Sequence, residues 1–328
     1  MQQLPNVSVS ELCGELTKVL EQLIATAALP GAAVARLKKA GEDVIVPYID
    51  DTYTGVVRFD CVLNERNELK ILELNADYPD GLLLHDKTYS VLSEALCSVH
   101  EDAFLSYFPV QTLIHISYAK DAHFLDAYYT EAEVLARNGH QVSIGSGEPT
   151  LKPTWHRRCV ESSKITAGDM EWCEHDRTQH LNSFALRTLG YKDLLATLSH
   201  PYVLKTFVVN SATRPLLLAN QSEYVLKPAN GCEGQGIFFG HAHDAVTWAK
   251  IIGNLPIGYI AQEYVQLPRQ KVSVYEDGNV IEKELYFDIC PHFFIKDGKV
   301  ANTGHLLMRF SKSPVVNVAL GELSATIL

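Results

Sequence analysis

The stretch VVRFDCVLNERNELKILELNAD, residues 56 to 77, decides how the chain is read. Two apolar-rich runs flank the polar turn Asn64-Glu65-Arg66-Asn67, which is the pattern of a β-hairpin. A symmetric hairpin centred between Arg66 and Asn67 sets Asp60 opposite Glu73 and Arg58 opposite Asn75. Side chains alternate faces along a strand. Those four therefore share one face, and Val57, Phe59, Leu72 and Leu74 share the other. Opposed carboxylates repel unless something neutralises them. A divalent cation does so, and two carboxylates with an amide are hard oxygen donors of the kind Mg²⁺ takes. Arg58 offers a second means, a plain Arg–Asp pair on a solvated face. The hairpin by itself leaves both readings open.

A second stretch bears on the choice. YVLKPANGCEGQG, residues 224 to 236, reads as a buried strand, then Lys227, a proline and a loop with Gly231, Gly234 and Gly236. Glycines let backbone approach a ligand closely, and lysine is a common phosphate binder. The loop is neither a P-loop nor a dinucleotide fingerprint, because no GK[ST] and no helix-opening GxGxxG is present. Alone it is equally a glycine-rich turn. GYIAQEYVQLP (258–268) follows as an apolar strand ending in Gln262-Glu263-Tyr264-Val265, able to offer hydrogen bonds to an adenine edge. GHLLMRFSKSPVVNVALG (304–321) carries Arg309 and Asn317 in a strand context.

Outward from these, residues 8–29 have leucines at helical spacing (Leu12, Leu16, Leu20, Leu23) with Ser8 or Ser10 as a cap. Residues 87–108 are also helical by pattern. The order strand 112–119, helix 123–140, strand 141–148 is a βαβ unit, hence a parallel sheet. Such sheets bind ligands beyond the carboxyl ends of their strands, which points to Ser117–Lys120 and Ser146–Glu148 as pocket edges. Residues 151–180 are polar and irregular, with Arg157, Arg158 and Lys164 as loop candidates to hold an acid in an otherwise solvated segment. Residues 183–201 read as helical up to Pro201, and 202–328 as strand-rich with a helix at 244–254.

Composition sets the outer bounds. The chain has 328 residues and a net charge of −11, which suits two domains or one domain with lobes. An acidic chain without a basic, aromatic-interleaved patch is a poor binder of nucleic acid. Seven scattered cysteines with no CxxC pair are neither a disulfide framework nor a zinc pattern. Reduced thiols suit a cytoplasmic protein. No signal peptide is legible in residues 1–30, and no stretch of about 18 apolar residues predicts a membrane span.

Taken together, RFD with ILELNADYPDG, then YVLKPANGCEGQGIFFG, YIAQEYV, and FDICPHFFIKDGKVANTGHLLMRF with VVNVALG resemble the ATP-grasp superfamily. The metal motif R-x-D…E-x-N comes before the lysine and hinge motifs here. That order resembles the circularly permuted group that includes relatives of glutathionylspermidine synthase. The resemblance covers about 56–81 and 190–321. It implies an α/β fold with α+β lobes in permuted order: residues 1–107 as the first part of the ATP-grasp domain with the metal hairpin, 108–182 as an inserted βαβ pre-ATP-grasp-like domain, and 183–328 as the ATP-binding lobe.

The resemblance also implies roles. Lys227 contacts phosphates, and Gly231, Gly234, Gln235 and Gly236 belong to a flap over them. Gln262, Glu263, Tyr264 and Val265 hold adenine. Asp60, Glu73 and Asn75 ligate Mg²⁺, or Mn²⁺ in its place. Arg58, Lys227 and Arg309 act at the reacting phosphoryl group, with Asn317 nearby. A second phosphate lysine is Lys192, with Lys205 as the runner-up. The implied reaction joins a small-molecule carboxylate to an amine through an acyl-phosphate, with release of ADP and phosphate. A phosphotransferase and a non-catalytic nucleotide-binding protein share the same ATP site. The oligomeric state is open, a homodimer included. One position departs from the pattern: Asp288-Ile289-Cys290 stands where the family has D-x-R. The stretches before 56 and after Asn317 are also short.

Overall fold

The computed structural model describes residues 8–27, 31–49, 52–79, 81–83, 99–120, 122, 125–173, 178–231, 234–276, 279–314 and 324–327. The strands, in chain order, are β1 (Gly55–Leu63), β2 (Leu69–Asn75), β3 (Leu113–Tyr118), β4 (Gln141–Gly145), β5 (Trp155–Cys159), β6 (Gln179–Leu181), β7 (Thr206–Val208) and β8 (Tyr224–Pro228). They continue with β9 (Phe238–Phe239), β10 (Tyr259–Glu263), β11 (Arg269–Glu276), β12 (Asn279–Lys296), β13 (Lys299–Ser311) and β14 (Ser324–Ile327).

These strands form three sheets. The largest runs β14-β13-β12-β1-β2, with β11 paired to the first part of β12. The hairpin register is the one its sequence dictates as far as Asp60: Arg58 pairs with Asn75, Phe59 with Leu74 and Asp60 with Glu73. The pairing then slips by one, so that Cys61 faces Ile71. Leu72 is the extra residue of a β-bulge, and it is only half-buried. Its expected place on the apolar face is taken by Ile71, which joins Val57, Phe59 and Leu74 in the core.

On its other side β1 pairs with β12, setting Arg58 opposite His292 and Cys61 opposite Ile289. Along β12 the alternation is strict from Leu285 to Cys290. Leu285, Phe287 and Ile289 enter the same core as Phe59, while Asp288 and Cys290 point to the opposite face. Helix Val9–Ala27 closes the core side. Its Leu12, Leu16, Val19, Leu20 and Leu23 are buried, and burying each leucine contributes about 1.5–3 kcal/mol. Ser8 Oγ accepts from the Glu11 amide at 3.1 Å, which caps the helix start.

The second sheet, β4-β3-β5-β6, is parallel throughout, as the βαβ reading of 112–148 requires, with helix Leu125–Arg137 as the crossover. The expectation for 151–180 is corrected here, because β5 and β6 belong to this sheet. WHRRC hides as a strand because two of its five residues are arginines, yet both are fully buried. Arg157 forms a two-pronged ion pair with Glu131 on the crossover helix, at 2.8 and 2.9 Å.

The third sheet, β7-β10-β8-β9, is antiparallel. Helix Ala245–Asn254, capped by Asp244 on the Thr247 amide at 2.8 Å, packs on it through Trp248 and Ile252. Gly240 shows why that lobe is tight: a Cβ there would lie 1.8 Å from the Gln221 carbonyl oxygen. Residues 183–201 are less regular than their sequence suggests. A single α-turn, Phe184–Arg187, runs into 3₁₀ turns at Thr188–Gly190 and Lys192–Thr197. Among the described residues no helix is long and apolar enough to cross a membrane.

Candidate functional site

Strand alternation gives the large sheet a polar face opposite its core. Arg58 and Asp60 come from β1, Glu73 and Asn75 from β2, Asp288 and Cys290 from β12, and Arg309 from β13, where it pairs with Asp288. Asp60 sits at the middle of an ionic cluster. Its Oδ1 accepts from Arg58 Nε at 2.9 Å and from the Cys290 thiol at 3.5 Å. Its Oδ2 accepts from Arg309 Nη2 at 2.9 Å and Arg58 Nη2 at 3.4 Å. Arg309 also holds Asp288 through Nε at 3.0 Å and through Nη2.

Burial pushes the Asp60 carboxyl up, but Arg309 and then Arg58 outweigh it and hold the group well below the usual carboxylate range. Burial wins at Asp288, whose carboxyl is raised. Burial also drives the Cys290 thiol far up. The residue standing at the expected arginine position is thus a neutral hydrogen-bond donor between two carboxylates.

The other end of the face is built from the third sheet. Lys227 at the end of β8 is 8% exposed and donates to Gln262 Oε1 at 2.8 Å. Burial pulls its ammonium down to about 8, partly offset by Glu73, and Lys192 pushes it further down. Lys192, equally buried, lies 3.2 Å from Glu73 Oε2 and donates to the Gly231 carbonyl at 2.6 Å. The hairpin acid, two lysines and the first flap glycine therefore meet in one place. Lys205, the other lysine candidate, is exposed, and its backbone is bound to Glu263.

The flap itself has Gly234 and Gly236 at φ of +73° and +70°, a region favouring glycine. A Cβ at Gly236 would meet the Tyr259 hydroxyl at 2.7 Å. Gln235 is exposed. Of the hinge stretch, Gln262 is fully buried and turned inward. Its Nε2 donates to the Leu72 carbonyl and to Thr206 Oγ1, both at 3.3 Å. Its side chain thus holds Lys227 and the bulge rather than facing a ligand. The Tyr264 amide donates to the Glu223 carbonyl at 2.7 Å; Glu263 is exposed and Val265 half-buried. Asn317 lies outside the described residues.

The donor set suits a hard cation in part. Glu73 makes its ion pair with Lys192, and 29% of its side chain is exposed. Asn75 carries a buried Nδ2 with no hydrogen-bond partner. Such an orphan is costly, and a side-chain flip would present the amide oxygen there instead. Asp60 fits less well, since a carboxylate has about four lone-pair sites and four donors already occupy them.

The parallel sheet supplies a separate hollow of about 360 Å³, lined among others by Ser117, Lys120, Ser146, Glu148, Lys164 and Asp169. It lies beyond the carboxyl ends of β3, β4 and β5, where the sequence places its pocket edges. Arg158 also reaches this hollow, but its charge is met by Asp77 at 2.6 Å. Neither Arg157 nor Arg158 is a solvated loop residue. Lys164 is half exposed and 3.7 Å from Glu161. Asp77 just follows β2, so this pair ties the hollow to the hairpin. Sequence reasoning missed Asp77, since no local signal marks a carboxylate whose partners lie on β5 and at Arg187.

No known family profile matches the chain, and no curated protein matches its sequence. Solved structures do match. A glutathione synthetase-like effector from Globodera pallida, in its apoform, superimposes with a TM-score of 0.53 at 12% identity, covering 90% of this chain and 82% of the effector. A protein described as a gamma-glutamylcysteine synthetase from Methylobacillus flagellatus gives 0.48 at 12% identity, over 98% and 88% of the two chains. The D-alanyl-alanine synthetase A of Vibrio cholerae gives 0.36 at 10% identity, over 60% and 88%. The first of these carries a conclusion, and it concerns fold: the chain is a mixed α/β protein with the architecture of a glutathione synthetase-like protein.

Proposed function

We propose that the chain is an ATP- and Mg²⁺-dependent carboxylate–amine ligase of the ATP-grasp type acting on small molecules. The γ-phosphoryl group of ATP would move to a carboxylate, and an amine would then displace phosphate to form an amide. The observation that carries this reading is the meeting of Lys192, Lys227 and Glu73 beneath the Gly231 carbonyl. Phosphoryl transfer asks a protein mainly for positioning and charge neutralisation, and this cluster has the parts.

Lys192 and Lys227 would bind phosphate oxygens in place of their present contacts with Glu73, Gly231 and Gln262. Glu73 and Asn75 would hold Mg²⁺, with Asp60 joining if the long contacts from Arg58 Nη2 and Cys290 give way. The cation, when bound, neutralises charge on the phosphates. Arg58 and Arg309 keep Asp60 ionised. The flap at 231–236 would exclude water from an activated acid, and the stretch Glu263–Val265 would border adenine. The hollow at the parallel sheet would admit one of the two substrates. The hairpin preceding the lysines along the chain fits a permuted order of the fold.

The test is thermal unfolding with ATP, with and without Mg²⁺, for the wild type, Glu73→Ala and Lys227→Ala. A ligand at a hundred times its Kd stabilises by about 2.7 kcal/mol. A Mg²⁺-dependent shift in the wild type, weakened in both variants, is expected. Phosphate release on addition of acid and amine pairs, with a product mass equal to the joined substrates, then separates a ligase from a phosphotransferase. No shift at millimolar nucleotide removes the reading. The saturation of Asp60 by donors and the thiol at Cys290 favour a second reading, a nucleotide-binding protein without turnover. That protein would show the shift and release no phosphate with any pair.

A further inference from the structure

The register of the parallel sheet sets three histidines in a row. His115 on β3 pairs with His156 on β5, and His156 with His180 on β6. Residues at paired positions share a face, and all three are buried. Nδ1 of His156 and Nδ1 of His180 face each other at 3.1 Å. Cys173, which follows helix Ala167–Met170, brings its thiol to the same point. Its Sγ and one ring nitrogen from each of His156 and His180 all lie within 4.8 Å of one another. Ser117 Oγ is 2.7 Å from Nε2 of His156. Trp172 stands edge-on to His156, ring centroids 4.8 Å apart.

Two buried imidazole nitrogens aimed at each other are reconciled in one of two ways. Either one is protonated and donates to the other, or a cation stands between them. A hydrogen-bonded pair needs no third group, and a thiol adds little to it as a weak donor. Two imidazoles and a sulfur converging within a few ångströms are the donor set of a borderline-soft metal. The Ser117 hydroxyl meets the outer nitrogen of His156; by accepting from an Nε2 proton it would leave the Nδ1 lone pair facing inward.

We propose that His156, His180 and Cys173 bind one transition-metal ion of the Zn²⁺ class, with a fourth position left for water or a ligand from the adjoining hollow that His156 and Trp172 also line. The site uses none of the residues given to ATP and Mg²⁺, although it borders the hollow assigned above to a substrate. Sulfur ligates as the thiolate, so metal uptake must expel the Cys173 proton and weaken as pH falls.

The experiment is titration of the metal-free full chain with Co²⁺, followed by competition with Zn²⁺ and with Mg²⁺. One Co²⁺ per chain is expected, with a thiolate-to-cobalt charge-transfer band in the near ultraviolet and the visible bands of a tetrahedral site. Zn²⁺ should erase both and Mg²⁺ neither. Cys173→Ser should lose the charge-transfer band. Ser117→Ala should keep it and bind about tenfold more weakly, as loss of an outer partner does. Circular dichroism checks that the variants fold, and the wild-type titration decides the matter if they do not. Absence of stoichiometric Co²⁺ uptake at micromolar metal, or uptake without the thiolate band, overturns the proposal and leaves a hydrogen-bonded histidine pair.

Discussion

Lys192 Nζ lies 3.2 Å from Glu73 Oε2, joining a 3₁₀ turn that leads into the third sheet to the edge strand of the first. Each group is the other's countercharge, so replacing either one strands its partner. Glu73→Gln should weaken Mg²⁺-dependent ATP binding by at least ~10²-fold, on the scale of losing one preorganised electrostatic group. Lys205→Gln, on the exposed neighbour, should leave binding within twofold. Isothermal titration with ATP and Mg²⁺ reads both.

Lys227 makes a prediction in pH. Its folded pKa is about 8 against an ordinary value of 10.5. Between those values the unfolded chain holds a proton that the folded chain lacks, so stability rises with pH across the window. Below pH 8 the folded protein carries the full cost of charging the buried amine, about 3 kcal/mol from the size of the shift. Lys227→Met should remove this slope in denaturant titrations run from pH 7.5 to 10. A triphosphate favours the charged form. Wild-type ATP affinity should therefore fall as pH rises above 8, with proton uptake on binding. Equal slopes in the two proteins would count against the shift.

Arg309 neutralises two buried carboxylates at once. Arg309→Met leaves Asp60 with Arg58 as its one cation and Asp288 with only the Cys290 thiol. A loss of about 3–5 kcal/mol is expected, as for other buried pairs stripped of one partner, read from urea denaturation. Adding Asp288→Leu to that variant should restore a good part of it, because the unpaired carboxylate goes too.

Gly236 tests the flap. Alanine there meets both a left-handed backbone and the Tyr259 hydroxyl. Gly236→Ala should lower Tm, and adding Tyr259→Phe should recover the part due to contact while leaving the part due to φ. If the double variant gains nothing, the backbone conformation and the Pro228 ring, 3.0 Å from the same Cβ, set the requirement for glycine.

The hairpin was legible because its signal is local. A polar turn and strict alternation fix which residues oppose one another, and Asp60 and Glu73 do so. The slip after Asp60 was not legible, since the bulge at Leu72 comes with a contact from Gln262 on a distant strand. The parallel sheet was half legible. β3 and β4 are apolar runs around an amphipathic helix, whereas β5 reads as polar until Glu131 and Asp77 are brought to its arginines. That Lys192 and not Lys205 stands beside Glu73 likewise required the fold. The histidine row could not have been seen either, as His115, His156 and His180 meet only through strand order.

The long strand β12 pairs with β11 over Arg269–Glu276 and with β1 over Gly55–Cys61. During synthesis on the ribosome the hairpin therefore emerges long before the strand that completes its sheet. Until Ile289–Ile295 arrives, β1 exposes an unpaired edge next to an uncovered apolar face, a template for wrong pairing. Contacts between such distant segments also form slowly. Nascent chains stalled before residue 279 should need chaperone protection that chains extended past 311 do not, so the ionic cluster around Asp60 would be among the last parts of the protein to form.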